Sequence, residues 1–155
     1  MTEARVLREA IYLAGNIAGL TYEQATGWRL QAASDLVALG YDVFSPMREK
    51  MYLAEKFNKV AIPHTDVSFR DPFQRDMLDV RRSDYVLAYF HPEAPASIGT
   101  LVELGYAYAL GKYIIVVDVG GTHVGHPFVR GVANDVVQTL DDAVLLLAEC
   151  RSISA

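Results

Sequence analysis

One carboxylate stands out in this sequence by its surroundings. Between Glu93 and Lys112 the only charged residue is Glu103, set in the run Ser97-Ile-Gly-Thr-Leu-Val-Glu-Leu-Gly-Tyr-Ala-Tyr-Ala-Leu-Gly-Lys112. The apolar positions predict a helix from Ile98 to about Leu110, stopped by Gly111, with Glu103 in its first turns. Gly99 and Gly105 leave room for a ligand or another backbone to approach. On spacing alone, two readings of Glu103 stay open. Thr100-Leu-Val-Glu103 fits a capping box, in which the glutamate only satisfies backbone donors. The other reading is chemical. Apolar surroundings disfavour the charged form of a carboxylate, while a helix N-terminus favours it. A carboxylate kept ionised but poorly solvated is a good nucleophile, for instance toward a sugar C1′.

Other residues could complete such a site. Asp76 and Asp79 lie one turn apart on a helix predicted from Pro72 to Arg82. Asp76 is a candidate second carboxylate, or else part of a solvated face paired with Arg75, Arg81 and Arg82. Tyr12 falls near the carboxyl end of a short apolar strand, as a core residue or as a hydroxyl aimed at the site. Gly15-Asn-Ile-Ala-Gly19 is a glycine loop whose backbone N–H groups could cradle a phosphate. It is neither a G-x-G-x-x-G fingerprint nor a Walker A loop. His64, His91, His123 and His126 show no metal-ligand spacing. His123 and His126 sit in a glycine-rich stretch and read as loop histidines, solvated or ligand-facing.

These residues need elements to hold them. Strands are predicted at Ala10–Gly15, Tyr41–Ser45, Asp84–Phe90, Tyr113–Asp118 and Val136–Thr139. Thr21 caps a helix to about Leu39 with Gly40 as its stop, and Asp141 caps a last helix. Arg48–Asp71 keeps no period and reads as an insertion or lid loop. Strands alternating with helices imply an α/β domain with a parallel sheet covered on both faces. Ligands in such sheets bind beyond the carboxyl ends of the strands. The loops Gly15–Leu20, Pro46 onward, His91–Ser97 and Val119–Gly125 leave those ends.

Composition bounds the partners. The 155 residues are 52% hydrophobic and 21% charged, enough apolar side chains for the core of a single domain spanning 1–155. The net charge of −5 argues against a nucleic-acid polymer as partner. No apolar run reaches the ~18 residues of a membrane span, so a cytoplasmic protein is expected. Cys150, the single cysteine, cannot form an internal disulfide and reads as a small hydrophobe on the last helix.

Taken together, Ile11-Tyr-Leu-Ala-Gly15, Asp76 ahead of Asp84, and Ser97-x-Gly-Thr-x-x-Glu103-Leu-Gly-Tyr-Ala-x-x-x-Gly-Lys112 resemble the nucleoside 2-deoxyribosyltransferase family over about Ala10 to Arg130. The resemblance implies a flavodoxin-like three-layer sandwich with a parallel five-stranded sheet. It implies that Glu103 attacks C1′, expels the base and forms a glycosyl-enzyme that a second base or water resolves. Tyr12 would orient that glutamate, and Asp76 would position the base and assist its protonation. Gly15, Asn16, Ile17, Ser97, Gly99 and Thr100 fall where substrate is held. No metal or organic cofactor is implied. A homo-oligomer, dimer or higher, is implied, with a neighbour closing each pocket.

Two departures bear on substrate. The transferases typically carry Asp six residues before the nucleophile, where this chain has Ser97. Serine there resembles a branch that hydrolyses nucleoside 5′-monophosphates, in which the hydroxyl helps hold phosphate. That branch tends to carry arginine in its first loop, and Asn16-Ile-Ala-Gly-Leu-Thr21 has none. Arg70 or Arg130 could supply the charge, and His126 falls close to a residue the hydrolases contribute from a neighbouring subunit. A looser likeness, through Gly99-Thr-x-x-Glu103, is to the phosphoribohydrolases that activate cytokinins, whose preceding Pro-Gly-Gly is absent. Three functions are thus expected to compete: base exchange by a deoxyribosyltransferase, with a slight lean toward it; hydrolysis of 5′-monophosphates; and non-catalytic nucleotide binding with Glu103 as a mere cap.

Overall fold

A computed structural model describes residues 7–47 and 70–154. The expected insertion or lid at 48–71 lies outside these residues, except for Arg70 and Asp71, which open a helix. The described elements run β1 (Ala10–Gly15), α1 (Tyr22–Ala38), β2 (Asp42–Phe44), α2 (Arg70–Arg82), β3 (Tyr85–Phe90), α3 (Ile98–Ala109), β4 (Tyr113–Asp118), α4 (Pro127–Val132), β5 (Asp135–Val137) and α5 (Leu140–Ser154).

The five strands form one parallel sheet in the order β2-β1-β3-β4-β5. The chain winds outward from β1 in one direction and from β3 in the other. Right-handed crossovers therefore send the connecting helices to opposite faces. One face carries α2, α3 and α4, packed through Val80, Leu104, Ala107 and Val129 on Tyr12, Ala14, Val86, Ala88, Phe90, Ile114 and Val116. The other carries α1 and α5, packed through Ala32, Leu36, Ala143 and Leu147 on Ile11, Leu13, Leu87, Ile115 and Val117. Successive residues of β1 and β3 thus serve opposite cores, which is why these strands read as unbroken apolar runs. The winding reverses between β1 and β3, and a crevice at that switch point is where such a sheet binds ligands.

The caps explain the element ends. Thr21 and Gln24 form a reciprocal capping box at the start of α1. Gly40 and Gly111 follow their helices at φ of +93° and +69°, the left-handed conformation that favours glycine. The start of α5 departs from expectation. The Thr139 hydroxyl accepts from Asp142 N–H and its carbonyl from Ala143 N–H, so Thr139 rather than Asp141 is the cap. Thr139 is thereby withdrawn from β5, which ends at Val137. A further helix, α4, occupies a stretch to which the sequence assigns no element, between the Val119–Gly125 loop and the last strand. Pro127 is its first residue and His126 its N-cap. No described helix is long and apolar enough to cross a membrane.

Candidate active site

The site starts from β1. Tyr12 lies at mid-strand rather than near the carboxyl end, with its side chain wholly buried on the α2/α3 face. Its hydroxyl donates to Glu103 Oε1 at 2.8 Å, joining positions 91 residues apart. Burial raises the Tyr12 hydroxyl far above the ordinary tyrosine value, and the charges of Glu103 and then Asp76 raise it further. Tyr12 is therefore a fixed donor and never a base. Asp76 is close enough for its charge to be felt at Tyr12, so α2, β1 and α3 bring Asp76, Tyr12 and Glu103 together on one face. Arg75 accompanies Asp76 at 3.3 Å and donates to Pro46 O at 3.1 Å, tying α2 to the exit of β2.

The start of α3 decides how Glu103 is read. The N-cap is Ser97, whose hydroxyl accepts from Thr100 N–H at 3.1 Å and lies 2.7 Å from the Thr100 hydroxyl. Thr100 is buried inside the first turn, not ahead of it. The Thr100–Glu103 capping box is therefore not formed, because the helix has already begun at Ile98. Glu103 sits in the second turn with its carboxylate on the buried tyrosine.

Asn16, at the exit of β1, is buried with only 4% of its surface exposed. Its amide donates to Pro95 O, and its Oδ1 accepts from Ser97 N–H at 3.1 Å. One side chain thus clamps the β3–α3 loop to the end of β1. Beside it Gly15 has no room for a side chain. A Cβ there would stand 2.8 Å from the Trp28 ring and 2.9 Å from Tyr89 O. Ile17 packs with Leu20, Ala25 and Met47 under the same turn.

Arg29 was not singled out by sequence, yet it lies 2% exposed beneath this turn. Its guanidinium donates to Gly15 O at 2.8 Å, to Asn16 O at 3.5 Å and to Ala25 O, and stacks 4.6 Å over Trp28. Burial lowers its pKa to about 10, and Tyr12, Glu103 and Asp76 act against that fall. Arg29 therefore stays charged at neutral pH. A signal existed: Ala25, Arg29, Ala32 and Leu36 follow helical spacing on the buried stripe of α1.

A second unpredicted anchor closes the far side. Asp118, 1% exposed at the end of β4, accepts from His123 N–H and Val124 N–H, each at 2.8 Å, and faces His123 Nδ1 at 3.0 Å. Burial alone would raise the Asp118 carboxyl, but these hydrogen bonds outweigh it and hold it below the ordinary value. His123 Nε2 lies 2.9 Å from Ala94 O, and the ring stacks on Phe90. His123 is thus a fixed bridge between the β4–α4 and β3–α3 loops, not a solvated loop histidine. His126 is likewise fixed, with Nδ1 accepting from Phe128 N–H at 3.3 Å.

The remaining candidates spread out. Gly99 is exposed on the first turn of α3, and His126 and Arg130 are exposed on α4. A mostly apolar cavity of about 540 Å³ lies between α3 and α4, lined by Leu101, Gly105, His126 and Phe128 among others. Leu101 and Gly105 are on the opposite side of α3 from Glu103, so this cavity is not where the carboxylates meet. Among the described residues no group of three or more His, Cys, Asp or Glu side chains could hold a metal ion.

The sequence matches the nucleoside 2-deoxyribosyltransferase family over residues 11–142. The chain belongs to that family. Its fold is shared with a 2-deoxyribosyltransferase from the psychrotolerant bacterium Bacillus psychrosaccharolyticus at a TM-score of 0.65 and 21% identity, covering 87% of this chain and 90% of the other. A 2-desoxiribosyltransferase from Leishmania mexicana superposes at 0.60 with 16% identity, over 91% and 97% of the two chains. A CMP N-glycosidase from Clostridium botulinum superposes at 0.51 with 20% identity, over 90% and 97%. No functionally curated protein matches the chain by sequence. As a member of the nucleoside 2-deoxyribosyltransferase family, the chain is a nucleoside-processing enzyme of the glycosyltransferase or N-glycosidase kind.

Proposed function

We propose that the protein exchanges the base of a 2′-deoxynucleoside through a covalent intermediate on Glu103. The observation that carries this reading is the 2.8 Å hydrogen bond from the buried Tyr12 hydroxyl to the Glu103 carboxylate. Tyr12 fixes the rotation of that carboxylate without taking its charge. Glu103 attacks C1′ as the C1′–N bond breaks, and the bonding pair leaves with the base. Asp76 positions the departing base and assists its protonation. A nitrogen of a second base then attacks C1′ as its proton passes to Asp76, and the C1′–O bond breaks to release the carboxylate. Two displacements give net retention at C1′. Gly15, Asn16 and Ile17 at the exit of β1 and Ser97, Gly99 and Thr100 at the head of α3 are the positions proposed to hold substrate, Asn16 through its backbone because its side chain is engaged by Pro95 and Ser97.

A second reading, hydrolysis of a nucleoside 5′-monophosphate, is favoured by one observation. Ser97 puts a hydroxyl, not a carboxylate, at the head of α3, where a carboxylate would repel phosphate. Against it, Arg29, which lies under the first loop, is turned to the backbone carbonyls of Gly15, Asn16 and Ala25.

Incubation with a deoxynucleoside and a different free base, followed by chromatography, separates the two. The expected result is a new nucleoside that forms only when the second base is present. Free base released from a 5′-monophosphate alone, with no exchange, would replace the first reading by the second. Tyr12→Phe is expected to lower kcat by about tenfold to a hundredfold, because the carboxylate loses the hydrogen bond that helps set its attack geometry. Its stability should stay within about 1 kcal/mol of the parent, since Glu103 is only half-buried. A steady-state assay beside a denaturant titration checks both. An unchanged kcat would remove Tyr12 from the site.

A further inference from the structure

We infer that His123 is a pH-sensitive clasp between the β4–α4 and β3–α3 loops, closed while its ring holds both protons and opened at Ala94 when one is lost. The clasp is independent of the chemistry assigned to Glu103. Each ring nitrogen faces an acceptor: Nδ1 lies 3.0 Å from Asp118 Oδ1, and Nε2 lies 2.9 Å from Ala94 O. Each contact is a hydrogen bond only if that nitrogen carries hydrogen, and a neutral imidazole carries one rather than two. With the hydrogen on Nδ1, the Nε2 lone pair points at the Ala94 carbonyl oxygen. With it on Nε2, the Nδ1 lone pair points at Asp118 Oδ1, which has no other partner among the described residues. The Thr122 hydroxyl, 3.2 Å from Nδ1, can donate to that nitrogen but leaves the carboxylate oxygen bare. Burial favours a proton on Asp118, yet the Val124 and His123 N–H groups on Oδ2 outweigh it and hold the carboxyl below its ordinary value. The imidazolium alone satisfies both contacts.

Packing keeps the ring from turning away. Its side chain is 10% exposed, and it stacks on Phe90 with ring centroids 5.0 Å apart. The groups against it are Asp118 from β4, Phe90 from β3, the Ala94 carbonyl and the Thr122 hydroxyl, and Asp118 is the one charge among them. His126, at the head of α4, is the other titratable residue lining the cavity beside it, to which α3 contributes Leu101, Leu104 and Gly105. As pH rises the ring gives one proton to solvent. The buried carboxylate keeps the Nδ1 hydrogen, so Nε2 loses its own and turns a lone pair on Ala94 O. An attraction becomes a repulsion. Ala94 lies in the loop that carries Pro95 and Ser97, both held from β1 by Asn16. Ser97 in turn caps α3. The loop that starts α3 thus has a hold on the β4 side at low pH that it loses at high pH.

Long-range 1H–15N NMR of the whole chain from about pH 5.5 to 10, with the histidine rings assigned through their own side-chain couplings, tests the clasp. At about pH 7.5 a solvated histidine ring is mostly neutral. Both His123 ring nitrogens should still give imidazolium signals there. At higher pH the Nε2 signal should move to the unprotonated position, and the Ala96 and Ser97 amide signals should move with the same midpoint. Asp118→Asn offers Nδ1 an amide donor in place of a carboxylate. Its ring should therefore be neutral at about pH 7.5, with hydrogen on Nε2 and loop amides that no longer follow pH. A neutral His123 ring in the parent at that pH would overturn the inference. So would loop amides that stay still while the ring titrates, or that follow pH equally in Asp118→Asn. If Asp118→Asn does not fold, the parent spectra decide by the ring and the loop amides alone.

Discussion

Glu103→Gln is expected to lower the rate of base exchange by about a thousandfold or more, with folding intact. The amide has the shape of the carboxylate, and its oxygen can still accept from the Tyr12 hydroxyl. The buried tyrosine therefore keeps its partner, and α3 keeps its seat on the sheet. What the amide lacks is the charge that attacks C1′ and stabilises the oxocarbenium-like transition state. Glu103→Ala is a poorer test of chemistry, because it strands a buried hydroxyl at a cost of about 1–3 kcal/mol. Steady-state exchange assays and urea titrations of the Gln variant should show turnover lost and the midpoint kept. A helix cap predicts the reverse: destabilisation with turnover kept. The geometry already disfavours the cap, since Ser97 holds that position.

The second large effect is on stability. Asp118→Ala should cost about 3 kcal/mol at neutral pH, because it leaves the N–H groups of His123 and Val124 without their acceptor in a site 1% exposed. Asp118→Asn should cost less. One amide oxygen can accept both N–H groups, and His123 can turn an unprotonated Nδ1 toward the amide while Nε2 donates to Ala94 O. The Ala penalty depends on pH in a known direction. The Asp118 carboxyl lies lower in the folded chain than in the unfolded one. Its contribution is then complete above the ordinary aspartate value, about 4, and is lost as pH falls through the lower folded value. Denaturant titrations of parent and Asp118→Ala should show a gap that narrows below about pH 4. A gap unchanged down to the acid limit would contradict this account of the β4 loop.

Legibility from sequence followed the range of the interactions. β1 and β4 were readable to the residue, because a strand buried on both faces is an unbroken apolar run. The ends of α1 and α3 were readable because Gly40 and Gly111 mark them locally. α4 was not legible because six residues after a glycine-rich stretch show too little period, although His126-Pro127 was a start signal. Within the site, Glu103 and Tyr12 were legible as residues, but their bond spans 91 positions and no spacing rule reaches that far. Asn16 was expected to meet substrate, while its side chain is committed to Pro95 and Ser97. Arg29 and Asp118 were missed because a charged residue inside an apolar pattern reads as an interruption, when here each is the polar group that the packing encloses.

The central claim is a covalent bond between Glu103 and C1′. The direct measurement is peptide mass mapping of the enzyme quenched during incubation with a deoxynucleoside and no second base. The account predicts one added deoxyribosyl mass on the peptide that contains Glu103, discharged when a base is supplied, and absent in Glu103→Gln. A sugar adduct on another residue, or base exchange that proceeds in Glu103→Gln at the parent rate, would contradict it.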